Sequence, residues 1–328
     1  MGPRILILRF SSIGDIVLTS PVMRCIKKQL PDSHITYITK KAFAAILDSN
    51  PYIDKVVVLE KDFNALKNQL RQEKFDHILD LHNNLRTKRL CRSLKGNYSA
   101  FHKLNIQKWL LVNFKINKLP PLHIVDRYME TAKQLGVRYD GKGLDYFIHK
   151  ETPLPQLPNL PFVALAIGGQ HATKRLPINK LREILIHCEV PLVLLGGKEE
   201  MHTASILENE FPQSIAYNYC GKISLDQSAL VLSHAAGLMT HDTGMMHIAA
   251  ALQIPVLSVW GNTVPSFGMS PLFPENSEAE KHSMVFEVNG LPCRPCSKIG
   301  FDTCPKGHFK CMNLQDTSLM AEALNRLT

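Results

Sequence analysis

Residues 240–265, THDTGMMHIAAALQIPVLSVWGNTVP, have the types and spacing of a phosphate-binding site. The apolar run from Ala235 to Met239 predicts a buried strand, Asp242-Thr243-Gly244 a turn, and Met245 to Leu252 the opening turns of a helix. A strand leading straight into a helix exposes backbone N–H groups that have no partner within the helix, at the end where the peptide dipoles place partial positive charge. An anion fits there. Gly244 allows close approach to the backbone, Thr243 offers a hydroxyl and an N–H, and His247 falls at i+4 from Thr243 on the same helical face, so all can converge on one diphosphate. The same spacing also suits an Asp242 that caps the helix and a His247 that packs. A second strand, Val256 to Val259, ends at a further turn, Gly261 to Pro265, and ligands of open parallel sheets bind beyond such carboxyl ends.

The elements that position these groups follow a repeating pattern. Arg4 to Phe10 reads as a parallel strand buried on both faces, and it turns at Ser11-Ser12-Ile13-Gly14-Asp15. A helix follows to about Gln29, with Pro21 in its first turn or at a kink. Next come a strand at His34 to Thr39, a helix at Ala42 to Leu47, a strand at Lys55 to Leu59, a helix at Phe63 to Glu73 and a strand at His77 to Leu81. Such alternation implies right-handed crossovers and a doubly wound parallel sheet, so Asp80-Leu81-His82 opens on the same side as Asp15. His82 and the basic residues after it are placed to contact a substrate. A helix at Ile124 to Leu135 closes this half, and residues 151–161, ETPLPQLPNLP with four prolines, read as an interdomain linker. The pattern then restarts with strand Phe162 to Ile167, turn Gly168-Gly169, helix Asn179 to His187, strand Pro191 to Leu195, turn Gly196-Gly197 and a helix from Glu200. Lys174 and Arg175 after one strand suit a phosphate, and Glu200 after the next suits a ribose diol. Ordinary surface charge is the other reading of each. The expected division is 1–152, 153–314, and a helix in 315–328 (Thr317 to Leu327) packing back at the domain junction.

The 328 residues allow two domains with separate cores, and the absence of any run of 18 apolar residues argues against a membrane span. The first ten residues are too short and strand-like for a secretory signal, so a cytoplasmic protein is expected. Net charge is +9, and nine Lys or Arg with no Asp or Glu lie between Arg86 and Lys118. Trp109-Leu110-Leu111-Val112-Asn113-Phe114 is interleaved with them, so cationic and apolar side chains are offered together, as at an anionic membrane surface or amphiphile. A solvated face is the plainer alternative. No helix-turn-helix, zinc-finger or RNP-type pattern accompanies the charge, which argues against nucleic acid as the partner. Cys25, Cys91, Cys188 and Cys220 read as small buried residues. Cys293, Cys296, Cys304 and Cys311, with His308 nearby, could hold a structural zinc, although their spacing is not that of a standard ribbon or finger.

Taken together, FSSIGDIVLTSP at 10–21, ATKRLP at 172–177, LLGGKEE at 194–200, HDTGMMHIAAAL at 241–252, VWGNTVP at 259–265 and the CRPC…CPKGHFKCM tail at 293–312 resemble the bacterial heptosyltransferases of glycosyltransferase family nine. The resemblance implies an α/β protein of GT-B type, with two Rossmann-like doubly wound parallel-sheet domains facing across a cleft. It implies an ADP-heptose donor on the C-terminal domain and a lipid A-linked lipopolysaccharide inner-core acceptor on the N-terminal domain. Transfer would invert the anomeric carbon without a catalytic metal or cofactor, at the cytoplasmic face of the inner membrane. By motif position Asp15 is the expected general base, Lys174 the diphosphate lysine and Glu200 the nucleoside-contacting glutamate. Asp242, Thr243, Gly244 and His247 form the diphosphate loop, and a hydroxyl contact falls on Thr173. The acceptor and membrane face is expected at His82, Arg86, Lys88, Arg89 and Arg92. Two other classes remain to be separated from this one. A nicotinamide-dependent oxidoreductase is opposed by Phe-Ser-Ser-Ile-Gly-Asp standing where G-x-G-x-x-G is needed. A non-catalytic nucleotide-sugar or anionic-surface binding protein, in which Asp15 only caps its helix, is separated by turnover.

Overall fold

A computed structural model describes residues 2–59 and 63–328. Strands and helices alternate along the chain: β1 (Arg4–Leu8), α1 (Ile13–Val17), α2 (Ser20–Gln29), β2 (His34–Lys40), α3 (Ala45–Asp48), β3 (Lys55–Leu59), α4 (Phe63–Gln72), β4 (His77–Asp80), α5 (Leu85–Cys91) and β5 (Asn97–Ala100). Helices α6 (Asn105–Phe114) and α7 (Ile124–Met129) follow. The second half runs β6 (Val163–Ala166), α8 (Ile178–Ile186), β7 (Leu192–Leu195), α9 (Met201–Glu210), β8 (Ile215–Asn218), α10 (Leu225–Leu232), β9 (Gly237–His241), α11 (Gly244–Ala251) and β10 (Val256–Trp260). It closes with α12 (Glu278–Lys281), β11 (Met284–Glu287), α13 (Lys310–Asn313) and α14 (Thr317–Asn325).

Among the described residues the first sheet has the order β3-β2-β1-β4-β5 and the second β11-β10-β9-β6-β7-β8, each parallel throughout. Strand order therefore reverses at β1/β4 in one sheet and at β6/β9 in the other, and ligands of doubly wound sheets bind at such switch points. Burial explains the apolar runs: β6, β7, β9 and β10 are buried along their whole length, as parallel strands covered on both faces must be.

Local chemistry moves some boundaries from the sequence reading. The helix expected up to Gln29 is two, because Pro21 cannot donate back to Val17 and instead occupies the first turn of a new helix. The helix expected at Ile124 to Leu135 tightens to a 3-10 turn over Glu130–Leu135 and stops at Gly136, whose φ of 74° is left-handed. Cys25, Cys91, Cys188 and Cys220 are buried free thiols.

The chain divides into two compact units. One comprises the residues up to Lys103 together with Leu122–His149, and the other Leu104–Pro121 with Lys150–Thr328. The division is thus discontinuous where the sequence suggests a single boundary near residue 152, and the basic stretch splits, with α5 in the first unit and α6 in the second. Helix α14 packs within the second unit. Its Met320, Ala321 and Leu324 are buried in the core of the second unit with Leu181, Ile184 and Leu185 of α8, because its apolar stripe matches that neighbour.

A buried ionic knot closes the first unit. Arg24 on α2, 2 % exposed, donates from Nε and Nη2 to Asp140 at 2.9 and 2.8 Å, from Nη2 to the Gly143 carbonyl at 2.9 Å, and pairs with Asp145. Removing one partner strands the others without counter-charge, so Arg24→Ala should lower stability by about 3–5 kcal/mol. Urea unfolding followed on the first unit measures this.

Candidate active site

Each switch point carries a paired carboxylate and cation. In the second unit Lys174 lies in the 3-10 turn Ala172–Lys174 beyond β6, and Asp242 follows β9. Lys174 Nζ donates to Asp242 Oδ2 at 2.6 Å, and Thr263 Oγ1, beyond β10, donates to the same oxygen at 2.9 Å. Thr243 is the N-cap of α11 with an extended backbone, yet no side chain caps the helix, so the first-turn N–H groups at Gly244 and beyond remain available to an external acceptor. Thr243 Oγ1 is 3.2 Å from Thr240 Oγ1, which fixes the rotamer beside that turn. His247 is buried one turn into α11. Asp242 is thus not the helix cap that its position also allowed. It holds the lysine.

Glycines make the floor. A Cβ on Gly169 would lie 3.1 Å from Arg175 Cγ and 3.7 Å from Thr243 Cγ2, and one on Gly168 3.0 Å from Glu200 Cδ. Glu200 is 5 % exposed; its Oε1 pairs with Arg175 Nη1 at 3.3 Å and its Oε2 accepts the Gly197 N–H at 2.9 Å. His241, which the sequence reading passed over beside Asp242, is a strut. Its Nε2 accepts the Leu176 N–H at 2.9 Å and its Nδ1 lies 2.9 Å from the Gly168 carbonyl, so Nδ1 must carry the proton. Burial pushes its pKa down to about 4, and it stays neutral.

Two expected contacts do not form. The Thr173 hydroxyl is not open to a ligand: it accepts the Phe301 N–H at 2.8 Å, donates to the Phe301 carbonyl at 3.1 Å, and is 2 % exposed. It ties down the cysteine-rich tail. Nor do those cysteines assemble a zinc set, since among the described residues no group of three or more His, Cys, Asp or Glu is arranged to hold a metal. Cys311 is buried in the core of the second unit, and Cys293 Sγ stands 3.8 Å from His308 Nε2.

In the first unit Asp15 stands in α1 just past β1. Its Oδ1 pairs with Arg9 Nη2 at 2.7 Å, and its Oδ2 accepts the Ser12 N–H at 3.1 Å and the Ser12 hydroxyl at 2.8 Å. Arg9 was legible only as part of a strand, yet its guanidinium is held on all three nitrogens, donating also to the carbonyls of Ser11 and Leu81 at 2.7 Å each and to Tyr128 Oη at 3.1 Å. Burial alone would raise the Asp15 pKa, but the Arg9 charge and the Ser12 donors outweigh it and hold the carboxyl below its ordinary value. His82 lies at the same switch point, its ring 5.0 Å from that of Phe10. Burial and the nearby Arg9 push its pKa down to about 4, so it is neutral at pH 7. Arg86, Lys88, Arg89 and Arg92 are exposed on α5 and at its C-cap.

The Arg9–Asp15 pair has a definite pH signature. A carboxylate whose folded pKa is lowered adds stability that is intact above its unfolded value and is lost as pH falls through the folded one, here below the ordinary 3.8. Arg9→Gln removes the charge, so the Asp15 titration should move upward and unfolding at pH 7 should cost about 3–5 kcal/mol less, as for other broken buried pairs. Carboxyl-selective NMR and urea unfolding give the two readouts.

The profile of Glycosyltransferase family 9 (heptosyltransferase) matches residues 63–298. Lipopolysaccharide heptosyltransferase 1 of Pseudomonas aeruginosa is 24% identical over 320 residues, which is 90% of this chain and 86% of that protein. Among solved structures, a family 9 glycosyl transferase from Veillonella parvula aligns with a TM-score of 0.75 at 20% identity, over 99% of this chain and 97% of its own. The E. coli heptosyltransferase WaaC with ADP aligns with a TM-score of 0.71 at 21% identity, over 99% of this chain and 100% of its own. The two parallel-sheet α/β units are accordingly of GT-B type. With a family match across most of its length, the chain belongs to glycosyltransferase family 9, the heptosyltransferases.

Proposed function

We propose that this protein transfers heptose from ADP-heptose to a lipid A-linked inner-core acceptor of lipopolysaccharide, inverting the anomeric carbon without a catalytic metal. The observation that carries the reading is Lys174, held by Asp242 at 2.6 Å beside the uncapped N-terminus of α11 at the β6/β9 switch point. A departing ADP develops charge on its β-phosphate, and an ammonium with oriented N–H groups stabilises that charge as a metal would. Thr243, Gly244 and His247 would line the diphosphate, and Glu200, one strand over, the ribose. Asp15 would take the proton from the acceptor hydroxyl as that oxygen bonds to the anomeric carbon and the bond to ADP breaks. Its depressed pKa keeps it ionised and ready at neutral pH. The cations of α5 (Arg86, Lys88, Arg89) and Arg92 at its C-cap suit an anionic acceptor. Work on a lipid-linked acceptor would place the protein at the cytoplasmic face of the inner membrane as a peripheral visitor.

A second reading has its own support. Asp15 accepts the Ser12 N–H as the reciprocal half of a capping box, so a non-catalytic binder of nucleotide sugars would also retain it. Turnover separates the two. Asp15→Asn keeps the capping geometry and removes the base, so the rate should fall by roughly 10²- to 10⁴-fold. It also leaves Arg9 without its counter-charge, so the rate is to be compared with ADP affinity, which should be unchanged, and not with melting temperature. Near-normal turnover in Asp15→Asn would remove it from the mechanism.

The donor assignment has an independent check. ADP and not UDP should raise the melting temperature, by mass action on the native state, and Lys174→Ala or His247→Ala should shrink the shift. A chelator should leave turnover untouched; a rate lost to chelation and restored by a divalent ion would overturn metal independence.

A further inference from the structure

Helix α6 is built inside out. Of its apolar side chains Ile106, Trp109, Leu110, Leu111, Val112 and Phe114, only Leu111 is buried, while Ile106 is 73% exposed, Trp109 49% and Phe114 58%. Ile116, just past the helix, is 48% exposed. A helix on the surface of a globular unit normally turns its apolar stripe inward. Here Ile106, Trp109 and Asn113 at i, i+3 and i+7 face out, and the rings of Trp109 and Phe114 meet edge to face at 5.1 Å, so the exposed groups form one patch. The helix is not loosely attached. Lys115 Nζ donates to the carbonyls of Val112, Cys293 and Pro295 at 2.7, 3.2 and 2.6 Å, which fastens its end to the cysteine-rich tail, and Lys108 lies 5.4 Å over the Phe267 ring.

We propose that α6 is an interfacial anchor that lies on an anionic lipid bilayer, with Ile106, Trp109, Phe114 and Ile116 inserted at headgroup depth and the exposed Lys118 at the lipid phosphates. Charge decides between occupants. The segment of the second unit that carries α6, Leu104–Pro121, holds Lys108, Lys115 and Lys118 and no Asp or Glu. A symmetric pairing of two copies would set this patch against itself, cation on cation, whereas an anionic surface complements it. Indole and lysine flanking aliphatic groups are the composition of a helix that lies in the interface and does not cross it, and no helix among the described residues is long and apolar enough to cross a membrane. The proposal sharpens the peripheral membrane contact put forward above by assigning it to α6 of the second unit and not to the cations of α5.

The test uses the full chain and vesicles of phosphatidylcholine with or without phosphatidylglycerol. The protein has two tryptophans, and Trp260 is buried at 1% exposure, so a change in emission on vesicle addition reports Trp109. Expected are a blue shift and co-sedimentation with phosphatidylglycerol vesicles only, both reduced when salt rises from about 0.1 M to about 1 M, as the screening length falls from about 10 Å to about 3 Å. The combined variant Ile106→Ser, Trp109→Ser, Phe114→Ser should lose at least about tenfold in partitioning, the order expected when several inserted side chains are removed. Its ADP-induced thermal shift and its turnover on a water-soluble acceptor should match the parent. Those two readouts report the transferase reading, so a failure there is distinguishable from a failure of the anchor. Wild-type emission unmoved by phosphatidylglycerol vesicles, a triple variant that binds them as tightly as the parent, or a triple variant whose only change is loss of a dimer would each overturn the proposal.

Discussion

One carboxylate ties three strand ends together. Asp242 Oδ2 receives Lys174 Nζ from beyond β6 and Thr263 Oγ1 from beyond β10, while Asp242 itself closes β9. The sheet order makes β6, β9 and β10 consecutive, so a single acceptor at their carboxyl ends fixes Lys174 relative to the turn that opens α11. Lys174 is half of an ion pair before any ligand arrives, with side-chain exposures of 16% for the lysine and 12% for the aspartate. Its long stem is therefore already ordered, and the entropy of placing the ammonium does not have to be met at the moment of binding. His241 supplies the remaining constraint by bridging Leu176 and the Gly168 carbonyl, which locks the segment bearing Lys174 against the strand that follows it in the sheet.

The first unit uses the same device with the roles exchanged. At β1/β4 the cation is the buried scaffold and the carboxylate is the more exposed partner, at 10% for Arg9 and 20% for Asp15. An arginine suits this task because its fixed fork of donors can satisfy a carboxylate, two carbonyls and a phenol at once, which a lysine ammonium could not do in a plane. The cost is a weaker base, since the charge that orients Asp15 also depresses its proton affinity. Arg9 thus trades proton affinity for a defined carboxylate direction, and a well-aimed group is a large contribution in transfer chemistry.

The cysteine-rich tail works as a brace in the second unit. Phe301 takes both hydrogen bonds of the Thr173 hydroxyl next to Lys174, the carbonyls of Cys293 and Pro295 hold Lys115, and Arg294 donates to the carbonyls of Gly261 and Thr263 at 2.7 and 2.9 Å. One irregular segment therefore supports the turns beyond β6 and β10 and the outward-facing helix. Its backbone polar groups are satisfied by these contacts where no sheet or helix is available to pair them.

Composition and spacing alone carried the two parallel sheets, because buried parallel strands must be continuous apolar runs and crossover helices must be amphipathic. They also carried the strand-to-helix turn proposed to bind phosphate, because Asp242-Thr243-Gly244 sits where β9 meets α11, and such a junction has only one electrostatic character. Asp15 was legible on the same grounds at the end of β1. What the chain could not disclose by itself was pairing across long sequence separations. That Arg9 meets Asp15 with Tyr128 and Leu81 on its other donors, that Asp242 spends its charge on Lys174 and Thr263, and that the Thr173 hydroxyl is consumed by Phe301 all depend on which strand ends the sheet order makes neighbours. The same holds for the single basic stretch that the fold splits between two units. Local patterns specify elements and their ends, because periodicity and caps act within a few residues; which side chains then meet is decided only when long-range packing closes the sheets.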